Sequence, residues 1–365
     1  MSTKQQHFVP QVYMKAWETT VETIAEPSKK FTGVYTFVDG QSIGNGANRD
    51  SILWEPRLYT IRFNYSYISK SCPLVQKYFV DQIFDLMQNC EPAPVYAKLN
   101  YVIIKTKNSI RDHLYDIDNW DFYYLDGRLA RKKGILNRIY ELNCYILENA
   151  FDSFFENAWE NTCYRFIDET KNGTPIAYGK SERRINKCIA VSMLKFVFMM
   201  LCRNPKFDAM GIYTRVKDRV LYPAFEGNKQ ASDEIMTGVW YSELYSMFFK
   251  QSGGFFHYTV PYVMGNCQMI LFEAYNGEGN FLTSDNPSIK HISAVTRENL
   301  NGFIFPITPK YLIFIGRGEP DAIDIVDYRY ANKEVIQQFN RIIVSNKISM
   351  VISNKREIDS LVLDN

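Results

Sequence analysis

His7, Arg203 and Asp285 are the residues of this chain whose types and placement could do acid–base or anion-binding chemistry. His7 lies just before Pro10, and proline suits the first turn of a helix, where its missing N–H is no loss. An imidazole near that helix end could act as acid or base close to neutrality. It could equally be a structural histidine that bonds backbone groups. Asp285 stands in Thr283-Ser284-Asp285-Asn286-Pro287 at the end of an expected strand. A carboxylate there could take a proton or bind a metal, with Ser284 and Asn286 as binding partners. The structural alternative is an Asx turn, which Asp and Asn before proline build without any ligand. Arg203 closes an apolar helix and precedes Asn204-Pro205. It could clamp a phosphate or carboxylate in bidentate fashion, although capping the helix's last carbonyls is the simpler role. Asn340 falls within a late helix, where most asparagines face water or bond locally.

The elements that must position these residues change character along the chain. Val12, Ala16 and Trp17 share one face of a short N-terminal helix. Gly33 to Val38 alternates like a strand, Asp39-Gly40 signals a hairpin, and Leu58 to Phe63 is the expected partner. Ser42 to Ser51 reads as a loop. The middle is helical. Apolar residues repeat from Leu74 to Met87, a further helix is expected between Pro94 and His113, and a long one runs from Ile135 to about Ile167. Ser181 would cap a helix to Leu201 that is apolar nearly all round and belongs at the centre of the fold. Another helix stripe runs from Met236 to Phe248. Strand-like patterns then dominate: Phe255–Val263, Gln268–Tyr275, Phe281–Ser284, Gly302–Ile307, Tyr311–Ile315 and Ile348–Ile352, interrupted by a helix near Asn332–Ser345. The expected fold is α+β: a helical middle with a mixed or antiparallel sheet built mainly from the C-terminal third plus N-terminal strands. The expected organisation is one domain, 1–365, comprising an N-terminal β part (1–70), a helical part (71–252) and a β-rich part (253–365).

Composition narrows the function classes. The chain has 365 residues, of which 42 are basic and 40 acidic, so no global field draws it to nucleic acid or an anionic membrane. Nucleic acid or nucleotide partners are thus not indicated by net charge. The densest basic run, Arg128, Arg131, Lys132 and Lys133 beside Tyr123 and Tyr124, could touch nucleic acid or simply form a charged turn. The 7 cysteines are odd in number and never paired as C-x-x-C, which argues against a disulfide framework or a cysteine zinc site. Asp112, His113, Asp116, Asp118 and Asp121 resemble a hard-metal cluster, but lack a calcium loop's glycine and terminal glutamate, and a solvated helix end explains them. No metal site is therefore expected, and no motif names a cofactor: there is no Walker loop, dinucleotide fingerprint or nucleophile elbow. Met1 to Pro10 is polar, unlike a signal peptide, and the longest apolar run is too short for a membrane span. The expected location is cytoplasmic.

Several short pieces, taken in order, resemble the bacterial domain-of-unknown-function 4238 family. They are His7-Phe8-Val9-Pro10-Gln11 with Tyr13-Met14, Arg203-Asn204-Pro205, Phe281 to Pro287, Phe305-Pro306-Ile307-Thr308-Pro309, and a late helix holding Asn340. Asn204 stands where Thr is commoner and Trp17 where Phe is commoner. The resemblance implies a fold family and a shared site but no reaction. Two expectations follow. One is an enzyme, hydrolase- or nuclease-like and suited to a bacterial defence or toxin setting, that gathers His7, Arg203 and Asp285. The other is a non-catalytic binding or interaction module in which the same residues lock the fold.

Overall fold

The structure, a computed structural model, describes residues 5–38, 40–56, 58, 73–143, 151, 155–204, 217–224, 226–229, 232, 266–292, 301–319, 322–359 and 362. The chain divides into two compact units. The first combines Met1–Leu58, Ser153–Phe207 and Tyr258–Asn365, and the second Tyr59–Asp152 with Asp208–His257.

The first unit begins with β1 (Gln5–His7), helix α1 (Gln11–Met14), β2 (Thr19–Glu22), β3 (Lys30–Phe37), β4 (Asn45–Ala47) and β5 (Trp54–Pro56). Pro10 occupies the N-cap of α1, and β1 pairs antiparallel with β5. The loop expected over Ser42–Ser51 contains β4, which pairs with β3. Glycine makes that pairing feasible: a Cβ on Gly33 would sit 2.3 Å from the Ala47 carbonyl oxygen, and one on Gly46 2.5 Å from that of Glu22. The strand expected over Leu58–Phe63 lies outside the described residues beyond Leu58.

In the second unit, α2 (Pro73–Gln88) precedes β6 (Val95–Leu99), β7 (Val102–Ile104), α3 (Lys107–His113), β8 (Asp121–Tyr124) and α4 (Lys132–Asn143). The helix expected after Pro94 is therefore corrected to a β-hairpin followed by a short helix. Val95, Ala97 and Ile104 are buried on one face while Tyr96, Lys98 and Ile103 alternate with them on the other, a period of two that the helical reading overlooked. The three strands are ordered β7-β6-β8 and all pair antiparallel. Beyond α3 the backbone leaves helical geometry at Asp116, so Asp112 and Asp116 do not share a helix face. Among the described residues no three metal-ligating side chains gather.

The chain re-enters the first unit with α5 (Asn157–Asn172), β9 (Thr174–Pro175), β10 (Glu182–Arg184) and α6 (Lys187–Arg203). Asn186, not Ser181, caps α6: its side chain accepts from the Cys188 N–H, and β10 occupies the residues between. Residues 196–200 of α6 are all buried, while Cys188, Ser192 and Lys195 form a narrow exposed stripe. The expected long helix to Ile167 appears as α4 and α5, with 144–150 and 152–154 outside the described residues. So do the expected elements Met236–Phe248 and Phe255–Val263.

The rest is β-rich: β11 (Cys267–Ala274), β12 (Thr283–Ser284), β13 (Ile289–Ile292), β14 (Asn301–Thr308), β15 (Tyr311–Arg317), β16 (Ile325–Ala331), helix α7 (Lys333–Ser345) and β17 (Val351–Ser353). A seven-stranded sheet runs β13-β14-β15-β11-β16-β10-β9, antiparallel except for the parallel pair β11–β16. Trp159 of α5 stacks on Phe196 of α6 with ring centroids 3.8 Å apart, and Phe198 meets Phe303 of β14. Across the sheet, Phe339 of α7 packs on Phe272 at 5.1 Å. The N-terminal strands β2, β3 and β4 join β17 and β12 in a second sheet rather than extending the first. The fold is α+β, with mixed and antiparallel sheets. Among the described residues no helix is long and apolar enough to cross a membrane.

Candidate functional site

Construction of the site starts at β1, whose last residue is His7, 8% exposed. Its Nδ1 lies 3.1 Å from the Ile52 carbonyl, which can only accept, so Nδ1 carries the proton. The Gln11 amide then donates to Nε2 at 2.8 Å, and the i, i+4 spacing across Pro10 brings the two together. This is a neutral imidazole with both nitrogens used. Burial is the largest influence and lowers the His7 pKa below its ordinary value; the Ile52 hydrogen bond opposes it, and the Arg203 guanidinium adds to it.

Arg203, at the last turn of α6, is 2% exposed. Its guanidinium donates to the His7 carbonyl oxygen and pairs with Glu156, whose side chain is 11% exposed. The next residue, Asn204, donates from Nδ2 to the Asp285 carbonyl at 3.1 Å and to the Asn286 side chain at 3.3 Å. The adjacent pair Arg203–Asn204 thus joins β1, the end of α6 and the 285–286 turn in one hydrogen-bonded cluster.

Asp285 is 1% exposed, and both of its carboxylate oxygens are engaged. Oδ1 accepts from the Ile348 N–H at 2.7 Å. Oδ2 accepts from the Ser349 N–H at 2.6 Å, the Ser349 hydroxyl at 2.7 Å and the Met350 N–H at 3.1 Å. The carboxylate therefore organises the turn between α7 and β17 rather than its own Asx turn. It is Ser284 that serves the local turn, its hydroxyl accepting from the Asn286 N–H at 3.1 Å. Asn286 in turn donates to the Asn346 carbonyl at 3.0 Å.

The remaining pieces interlock likewise. Tyr13 is fully buried and donates its hydroxyl proton to the Pro306 carbonyl at 2.8 Å, so the Thr283 hydroxyl, 2.7 Å away, is the donor to Tyr13. Burial raises the Tyr13 pKa well above its ordinary value. Trp17 donates to the Phe281 carbonyl, and Asn340 bonds the Leu282 N–H and the Asn280 carbonyl, both at 2.9 Å. Asn340 also lines an open cavity of about 180 Å³ shared with Leu282, Ile336, Lys333 and Asp359. His7, Arg203 and Asp285 do not line it.

Gln11, Tyr13, Glu156, Thr283 and Ser349 complete the network without having been expected in it. Gln11 was legible from its four-residue spacing to His7; Glu156 has no motif around it. A second polar cluster on β11 was also missed: Glu273 binds Lys310 at 2.8 Å, Lys171 at 3.1 Å and the Tyr328 hydroxyl. Burial works to raise the Glu273 pKa, but those hydrogen bonds outweigh it and hold it below the ordinary range. Cys90, Cys163 and Cys267 are buried free thiols and Cys188 is exposed. Burial pushes Cys163 and Cys267 up to about 12.

The lowered His7 pKa has a consequence for stability. Below the ordinary value of 6.5 the unfolded chain binds a proton that the folded chain resists. Stability should then fall as pH drops from 6.5 toward the lower folded value, with no further contribution above 6.5. Urea midpoints measured across that range should show this loss in the wild type and a flatter profile in His7→Gln. Parallel profiles would mean that His7 protonates as easily folded as unfolded.

No curated protein and no solved structure matches the chain. A family model matches residues 5–357, a span that holds all of these interlocked residues, and the chain belongs to the family described as Protein of unknown function (DUF4238).

Proposed function

We propose that the chain is a non-catalytic binding or interaction module, in which His7, Arg203, Asp285 and their polar partners lock the sheets and helices of the first unit. The observation that carries this reading is Asp285, 1% exposed with both oxygens spent on the Ile348, Ser349 and Met350 groups. A general base must reach the proton it abstracts, and a metal ligand must keep a lone pair free. Arg203 is likewise committed to Glu156 and the His7 carbonyl. A cytoplasmic setting agrees with the free, buried thiols of Cys90, Cys163 and Cys267.

One observation favours the hydrolase or nuclease reading: His7 is held neutral at physiological pH, the state a general base requires. A substrate proton would have to replace the Gln11 amide at Nε2. Turnover of chromogenic ester and phosphodiester substrates separates the two. The module reading expects no difference between wild type, His7→Gln and Asp285→Asn. Hydrolysis lost in His7→Gln at an unchanged urea midpoint would overturn it in favour of the enzyme.

A further inference from the structure

The three-stranded sheet of the second unit presents an aromatic and cationic face to solvent. Register places Tyr96 opposite Tyr123, and Lys98 opposite both Ile103 and Asp121, so these side chains share one face. Tyr96 and Tyr123 are half-buried and stacked with ring centroids 5.8 Å apart. Leu129 bridges to Tyr123 and continues the row, 68% exposed, while Ile103 is 50% exposed. The Lys98 ammonium lies over the Tyr123 ring, 4.7 Å from its centroid. Arg131 and Lys133, at the start of α4, are exposed and make no ion pair among the described residues. Asp121 and Asp126 neutralise only Lys132 and Arg128. From residue 95 to residue 138 there are 9 basic and 5 acidic side chains, against 42 and 40 in the whole chain. The chain's near-neutrality therefore hides a local positive excess.

We propose that this face binds single-stranded nucleic acid, with bases on Tyr96 and Tyr123 and phosphates on Lys98, Arg131 and Lys133. Aromatic rings on an open sheet offer a stacking surface to any unpaired base, and flanking cations track the backbone. A base arriving on Tyr123 takes the place of the Lys98 ammonium, which is then free to reach the adjoining phosphate. Duplex cannot use the rings, because its bases are already stacked on one another. A protein partner fits less well, since protein interfaces deplete lysine at their core and Lys98 sits in the middle of this row. The surface lies wholly in the second unit, so its case does not depend on whether the interlocked residues of the first are catalytic.

The test is fluorescence anisotropy of a labelled oligothymidylate of about fifteen nucleotides, titrated with the whole chain. Three phosphate contacts on a single strand predict affinity falling about 20-fold between about 50 and about 200 mM salt. Arg131→Glu with Lys133→Glu, both on exposed side chains, should weaken binding at least about tenfold and flatten the salt dependence. Tyr123→Leu should weaken it about fivefold or more with the salt dependence unchanged, its urea midpoint serving as the folding control. No anisotropy change, equal affinity for a duplex of the same length, or indifference to the charge reversals would overturn the proposal. Any of those outcomes would leave the stability results on Asp285 and Arg203 untouched.

Discussion

Arg203→Met should destabilise the protein by about 3–5 kcal/mol, read as a lower urea midpoint at an unchanged slope. The guanidinium is 2% exposed and joins the end of α6 to the Glu156 carboxylate and to the backbone of β1. Methionine fills most of the volume but leaves Glu156 charged in a site where its side chain is only 11% exposed. It also strips the His7 carbonyl of a donor. The cost is thus the stranded partner more than the lost attraction. Adding Glu156→Gln to Arg203→Met should therefore recover stability, because a neutral amide tolerates the site better. Arg203→Lys should not restore the wild-type value, since one ammonium cannot span both acceptors as the planar fork does. A loss below about 1 kcal/mol for Arg203→Met would mean that the pair is solvated in solution and does not hold β1 in place.

How much of this was legible in the sequence follows from the range of each interaction. Helix α6 could be read because its apolar run is nearly unbroken, and α7 because its apolar residues repeat at helical spacing after Asn332, whose side chain caps the Val335 N–H. β16 escaped because Asp327 and Arg329 interrupt its apolar pattern, bonded to each other along one strand face. β6 and β7 escaped because one helix was expected over the whole stretch from Pro94 to His113, although the buried residues of its strands alternate with a period of two. The pairing of β3 with β17 joins residues more than 300 positions apart, and no local pattern encodes it. At the site, residue types pointed to His7, Arg203, Asp285 and Asn340, and the structure joins the first three through Asn204. Their partners were hidden. Glu156, Ile348, Ser349 and Met350 act through backbone groups, one hydroxyl or a lone charge, and none of these leaves a spacing signature. Asp285 shows the difficulty: the local reading expected its carboxylate to fold back on the next two residues, whereas it reaches across to a turn some 60 positions later.

That reach sets a large expected effect for the Asp285 carboxylate. Asp285→Ala should cost about 3 kcal/mol, because it takes the acceptor from the Ile348, Ser349 and Met350 N–H groups in a partly buried turn. Each orphaned donor is expected to cost about 1–3 kcal/mol, toward the lower end here because Ile348 and Met350 are half-buried and Ser349 is exposed, although the carboxylate they face is 1% exposed. Asp285→Asn should fall between that and the wild type. An amide keeps one oxygen for the crowded Oδ2 position, but turns its own donors toward the Ile348 N–H, so a single contact becomes repulsive. Ser349→Ala removes only the hydroxyl donor and should cost about 1 kcal/mol. Amide exchange should localise the damage to the turn between α7 and β17, with Ile348, Ser349 and Met350 losing protection before the strands of the seven-stranded sheet. A catalytic carboxylate would give the opposite ranking, with stability held or raised in both Asp285 variants, because functional groups seldom stabilise the fold that carries them. Asp285→Ala within about 1 kcal/mol of the wild type would therefore reopen the acid–base reading of this residue.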